Sequence, residues 1–386
     1  TDMTMIYTED QLAIRDLVRD FMARRVKPHL RELDDKGEFP QDIYKEAFEM
    51  GLHCLQIPEE FGGAGLDYVT MAVALEEMGR CDPGFAITML STSMTLKCIL
   101  LGGNEEQKQR AADILIPGAH GSFSMTEPNA GSDTLSLRTT ARKDGDDYIL
   151  NGTKCFATNG AYSDLYVIIA TVDRSLGSKG TVAFMVEGKT PGLSVGKHEN
   201  KMGLRLSNTC DLFLEDVRVP AANMLGSVGD GIKIALGGLD TGRIYNAAVA
   251  VGIAQNALEE SVAYAKTREQ FGKPIIENQA IKMMLADMQI GTEAGRQLVF
   301  GAMRLLDAGV KKVSMEASCA KTFCSDNAVK VTTDAVQIFG GYGYSKEYPV
   351  EKMMRDSKIF QIRNESDSAS GGVQGTGQTL LSFFLD

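Results

Sequence analysis

Apolar residues recur at helical spacing through the first third of the chain, alternate in short runs through the middle, and return to helical spacing afterwards. In YTEDQLAIRDLVRDFMARRV, Ile14, Leu17, Val18, Phe21 and Met22 mark one face of a helix, and Thr8 with Gln11 reads as a capping box at its start. PQDIYKEAFEMG, DYVTMAVALEEMGR and STSMTLKCILL continue the pattern, and PEEFGGAGLD is a glycine-rich break. Residues 1–121 are therefore expected to be helical. Between about Ser122 and Val228 the runs DDYILNGTKCFATNG, DLYVIIATVD, GTVAFMVEG and CDLFLEDVRVP alternate as strands do. Asp144-Gly145 and Asn151-Gly152 read as turns between them. From Gly229 onward GIKIALGGLDTGRIYNAAVAVGIAQNALEESVAYAK and two further long segments are again helical in period. The pattern predicts an α+β chain, mainly α, with domains at 1–121, 122–228 and 229–386.

Composition narrows the class. A chain of 386 residues that is 44% hydrophobic can bury a large core and divides into two or three domains. Its net charge of -11 argues against nucleic acid or an anionic membrane as partner, both of which favour clustered Lys and Arg. Seven cysteines without CxxC spacing point to free thiols in a reducing compartment. His29, His53, His120 and His198 are too dispersed for a metal site, so no metal is expected. The start TDMTMIYTED has no charged-then-apolar leader, and no uninterrupted apolar stretch is long enough to span a bilayer. A cytoplasmic protein fits, as does a processed chain of the mitochondrial matrix.

No GxGxxG follows a strand and no GxxxxGK[ST] occurs, which speaks against a Rossmann-type or P-loop nucleotide site. FSMTEPNAGSD and QIFGGYGYS are more informative, because small residues beside hydroxyl and amide side chains expose backbone N–H groups to an anion such as a pyrophosphate. On these residues alone, a structural turn and a cofactor loop both fit.

Five stretches, TEPNAGSD, NGTKCFATNG, KMGLRLSNTCDLFLEDVRVP, TREQFGKPIIENQ and QIFGGYGYSKEYPVEKMMRDSKIFQI, stand in the order and spacing of the acyl-CoA dehydrogenase family, which the chain resembles up to Ile362. The resemblance implies a helical N-terminal domain, a middle β domain, a C-terminal four-helix domain, bound FAD and a homotetramer. It also implies α,β-dehydrogenation of a short- or branched-chain acyl-CoA to the trans-2-enoyl-CoA, with hydride passing to the flavin and electrons leaving to an electron-transfer flavoprotein. Carried over, FSMTEPNAGS lines the flavin through Phe123, Met125, Thr126, Gly131 and Ser132, with Ser132 also near the thioester. Phe156, Ala157 and Thr158 pack against the ring, with Phe156 where many relatives have Trp. Arg268, Phe271, Gln279 and the stretch Gln337, Gly340 and Gly341 match positions that hold the pyrophosphate and adenosine, partly across a subunit boundary. Asp240 and Arg243 in LDTGR match the acyl-CoA contact.

The family's α-proton is taken by a Glu in a YEGT segment directly after KIxQI, or in a minority by a Glu at the position of Gly242. This chain has neither. The expected Glu falls on Asn364; Glu365 is one residue off, and Gln374 fits only across an insertion. A family member with a base-free reaction, or a non-catalytic flavin-binding relative, is therefore a second reading. The first reading, an ordinary dehydrogenase of the family, requires that the tail be altered. RNESDSASGG, residues 363–372, can be encoded as CGG AAC GAA TCA GAT TCA GCG TCT GGT GGT, and one base later this string reads Gly-Thr-Asn-Gln-Ile-Gln-Arg-Leu-Val-Val. That is the family's ending after Tyr-Glu, so the tail is expected to be an out-of-frame reading of it.

Overall fold

A computed structural model describes residues 7–362. The N-terminal domain comprises α1 (Glu9–Phe21), α2 (Leu30–Lys36), α3 (Gln41–Glu49), α4 (Tyr68–Cys81), α5 (Pro83–Gly102) and α6 (Glu105–Leu115). The Thr8–Gln11 capping box is present, satisfying two of the amide donors that a helix start leaves free. Helix α5 is by length and composition apolar enough to cross a membrane, contrary to the reading of the sequence. It is mostly buried inside the protein, between α4 and the middle sheet, and serves as a core helix.

The middle domain holds β1 (His120–Ser124), β2 (Thr140–Asp144), β3 (Asp147–Thr158), β4 (Ser163–Thr171), β5 (Thr181–Glu187), β6 (Leu193–His198), β7 (Thr209–Pro220) and β8 (Met224–Leu225). Among the described residues these form one sheet of order β6-β7-β3-β2-β4-β5-β8, with β1 parallel to β4. Gly145, at φ 63°, makes the predicted turn between β2 and β3. Asn151-Gly152 makes no turn: both residues lie inside β3, at a bulge against β7. The Asn151 amide is satisfied across the sheet by Asp216 rather than by a turn of its own backbone. A Cβ on Gly152 would stand 2.5 Å from Thr139 Oγ1, so glycine is there for close approach.

The C-terminal domain is built on α7 (Gly231–Thr267), followed by a small hairpin of β9 (Glu269–Gln270) and β10 (Lys273–Pro274), then α8 (Gln279–Asp307), α9 (Ser314–Phe339) and α10 (Val350–Ile362). One apolar core runs through the first and last domains, with Ala72, Met78 and Phe85 meeting Val249, Ile253 and Phe300. A buried ammonium joins all three domains. Lys352 Nζ on α10 lies 2.6 Å from Asp82 Oδ2, which begins α5, and 2.5 Å from Asp356 Oδ2. Asp356 also accepts the N–H of Leu204, in the loop between β6 and β7, at 2.7 Å.

The four histidines divide as ordinary surface and core residues. His29 and His198 are exposed; His53 and His120 are buried among Phe39, Tyr44 and Phe48. Burial pushes both imidazoles down to about 4, against a weaker opposing hydrogen bond from His53 to Leu115 O and with His53 adding to the shift of His120. The folded state thus holds them neutral, and the unfolded chain takes up their protons first as pH falls below the ordinary histidine value. Stability should therefore drop between about pH 6.5 and 4, by up to about 3 kcal/mol per histidine. Denaturant midpoints across that window should fall for this chain and fall less steeply for the His53→Gln, His120→Gln double variant.

Candidate functional site

The first cluster of site residues forms where the chain leaves β1. Phe123 and Met125 pack into an apolar cluster with Leu96, Leu137 and Val167. The segment then crosses β3, where Thr126 O accepts the Cys155 N–H at 2.8 Å. Beneath it lies a buried ion pair that sequence reading did not single out. Lys154 Nζ is 2.6 Å from Glu127 Oε1 and donates to Met125 O at 3.1 Å, with the two side chains 0% and 3% exposed. Glu127 also accepts the N–H groups of Arg138 at 2.6 Å and Thr139 at 3.1 Å. Burial works to raise this carboxyl, but Lys154 and the amide donors outweigh it and hold the carboxyl below its ordinary value. The signal was available: Lys154 shares the inward parity of Leu150, which a solvated lysine would avoid.

One residue past Cys155, the pairing of β3 with β7 slips between Lys154 and Ala157. Phe156 sits in this bulge at φ 55° and is 65% exposed, while buried Ala157 resumes the ladder opposite Cys210 and Thr158 follows opposite Thr209. A bulge re-aims a side chain, and an aromatic residue at positive φ is a strained arrangement that such sites retain. Asn159, also at positive φ, fastens the strand end to α5 through Thr88 O at 3.0 Å. Gly131 has open space around it, and Ser132 beside it is half-buried.

The second cluster lies in the C-terminal domain. Arg268 caps the end of α7, and its guanidinium lies 5.7 Å from the centre of the Tyr342 ring, paired with no carboxylate among the described residues. Phe271 stands at the tip of the β9–β10 hairpin, 97% exposed, and Gln279 opens α8. Gln337 is in the last turn of α9; Gly340 ends it at φ 60° and ψ -136°, a conformation open essentially to glycine alone. No atom would contact a Cβ on Gly340 or Gly341. Within one chain, no hydrogen bond or ring contact joins this cluster to the first among the described residues.

The residues present fit FAD. An outward aromatic ring in a strained bulge suits a planar heterocycle, and an unpaired Arg beside open glycines suits a pyrophosphate. The third group is Asp240 and Arg243 on α7. Arg243 is buried and ion-paired to Asp240, which also accepts from Ser314 Oγ at 3.1 Å. Burial pulls the Arg243 guanidinium down and Asp240 opposes this. Asn364, Glu365 and Gln374, and the expected shift of frame, lie outside the described residues.

Comparison with known proteins agrees through all three domains. Family models match at residues 8–118 (acyl-CoA dehydrogenase, N-terminal domain), 122–217 (middle domain) and 229–364 (C-terminal domain). The chain is 46% identical over 360 residues to an acyl-CoA dehydrogenase of Bacillus subtilis, covering 93% of this chain and 95% of that one. It is 44% identical to a short-chain specific acyl-CoA dehydrogenase of Megasphaera elsdenii, covering 97% and 98%. Among solved structures, butyryl-CoA dehydrogenase from Megasphaera elsdenii superposes with a TM-score of 0.95 at 41% identity, covering all of both chains. A chain from a structure of the electron transferring flavoprotein of Acidaminococcus fermentans also gives 0.95, at 42% identity, covering 99% and 100%.

The Lys154–Glu127 pair yields a direct test. Lys154→Met strands a buried carboxylate and should cost about 3–5 kcal/mol in denaturant unfolding, whereas Lys154→Met combined with Glu127→Leu should recover much of that loss. Additive losses would show that the two side chains do not act as a pair.

Proposed function

This chain belongs to the acyl-CoA dehydrogenase family, and from that premise we propose that it oxidises a short-chain acyl-CoA to the trans-2-enoyl-CoA and passes the electrons to an electron-transfer flavoprotein. That it is an FAD-dependent oxidoreductase of acyl-CoA follows from the family. The short-chain assignment is carried by one observation, the end-to-end likeness to butyryl-CoA dehydrogenase.

FAD supplies the acceptor for the β-hydride. The chain's own part is to bind and orient. Glu127 and Lys154 fix the segment bearing Thr126 and Ser132, and the bulge presents the Phe156 ring. In this reading, Arg243, neutralised by Asp240, receives the CoA portion beside α7. Arg268 and Phe271, at and just beyond the far end of α7, would hold FAD together with a neighbouring subunit of a homotetramer. Exposed Met283, Ile290 and Leu298, spaced along α8, supply an apolar stripe for that assembly.

The α-proton requires a carboxylate, and Asn364 cannot serve as a base. The match to the C-terminal family model ends at this residue. We infer that the native gene encodes Tyr-Glu before the restored Gly-Thr, and that a small deletion has displaced the frame.

Two proteins test the reading, one with the sequence as it stands and one with the Tyr-Glu-Gly-Thr ending restored. Both should be yellow with about one FAD per chain. Only the second should oxidise butyryl-CoA with a dye acceptor at full rate, the first being slower by on the order of 10²–10⁴. Equal rates would refute the frame displacement; no turnover by either would refute the dehydrogenase reading. The intact mass of the native protein decides the tail independently. Arg268→Ala should lower both flavin content and tetramer yield, and unchanged flavin content would mean that the guanidinium is merely solvated.

A further inference from the structure

Helix α5 carries a lysine whose position its surroundings do not explain. The Nζ of Lys97 is buried and, among the described residues, has neither a hydrogen-bond nor an ion-pair partner. It lies 4.6 Å from the centre of the Tyr68 ring, at the start of α4, and 5.7 Å from that of Tyr245 on α7. The Tyr245 hydroxyl is taken by Gln56 Oε1. Asp307, the carboxylate felt by both tyrosines, is occupied by the N–H groups of Tyr68 at 2.7 Å and Val69 at 3.2 Å. Contact with two aromatic rings returns only part of the hydration that an ammonium loses on burial. Burial pulls this amine down to about 8, which still leaves most of it charged at neutral pH.

Lys97 borders the acyl-CoA part of α7. Cys98 and Met94 of α5 lie against Gly238, where a Cβ would stand 2.8 Å from Cys98 Sγ and 3.3 Å from Met94 Cε; the two helices can approach closely only because that residue is glycine. Asp240 and Arg243 follow on α7. Tyr245 is three residues beyond Gly242 and so shares its face, one turn or about 5 Å further on. Asn246, beside it, bonds back to Gly242 O and has a buried Oδ1 without a partner among the described residues. The contact of α5 with α7 therefore holds an unmet ammonium, where a purely alkyl chain would call for apolar neighbours.

We propose that Lys97 is a specificity-determining residue that pairs with a carboxylate at the far end of the acyl group, so that short ω-carboxyacyl-CoA thioesters bind in preference to plain alkanoyl ones. This rests on the acyl-CoA reading given above. The far carboxylate supplies the missing counter-charge, and Tyr68 and Tyr245 keep water from competing for it.

The test is binding to the holoprotein by calorimetry, with succinyl-CoA against butyryl-CoA and glutaryl-CoA against valeryl-CoA. In at least one pair the carboxylated thioester should bind tenfold or more tightly, about the worth of one charge-assisted hydrogen bond. Lys97→Met should abolish that preference and raise the melting temperature of the free protein, while Lys97→Arg should keep the preference. Equal or weaker binding of the carboxylated partner in both pairs overturns the proposal without any variant being needed, as does a preference that Lys97→Met leaves unchanged. If no CoA thioester binds at all, the acyl-CoA reading falls and this one with it.

Discussion

The arrangement of the three domains depends on one buried ammonium, Lys352, held between Asp82 and Asp356. Each partner is committed elsewhere: Asp82 caps α5 through the Phe85 N–H, and Asp356 holds the Leu204 N–H in a loop whose backbone is at positive φ. Removing any one group would leave the others buried and uncompensated, so the cost of breaking the cluster far exceeds the net gain of forming it. Arg355, bonded to Asp34 and to Met202 O, repeats the tie three residues after Lys352 on the same helix. Helix α10 is thereby fixed against α5 and the middle domain up to the residue before the anomalous tail.

Much of the fold was legible because it is local. The Thr8–Gln11 box, the β2–β3 turn at Gly145 and the helical period of the last domain are properties of a few adjacent residues. What failed was decided by distant ones. Asn151-Gly152 has the composition of a turn, yet Asp216 claims the amide and Thr139 leaves no room for a Cβ, so the pair stays in the strand. Helix α5 shows the same limit in another form, since only its packing distinguishes a core helix from a spanning one.

The site was legible as motifs and not as geometry. The stretches around Thr126, Phe156 and Gly340 could be marked from their small and hydroxyl residues and their family spacing. Nothing in that spacing indicates that Lys154 is buried against Glu127 or that Phe156 faces outward from a bulge. Lys97 was less visible still: a single lysine on an apolar helix reads as a snorkelling surface residue until Tyr68 and Tyr245 are seen to enclose it.

Helix α7 continues for 37 residues, about 55 Å, without interruption. Arg243, about a third of the way along, and Arg268 at its end stand twenty-five residues apart, close to seven whole turns at about 100° per residue, so the two guanidinium groups leave the helix on nearly the same side. The helix works as a screw of fixed phase. Loops elsewhere absorb an extra residue freely, but one inserted between these arginines would turn one of them by more than a quarter circle relative to the other. Length variation in this family should accordingly avoid that interval or arrive there in steps of about seven.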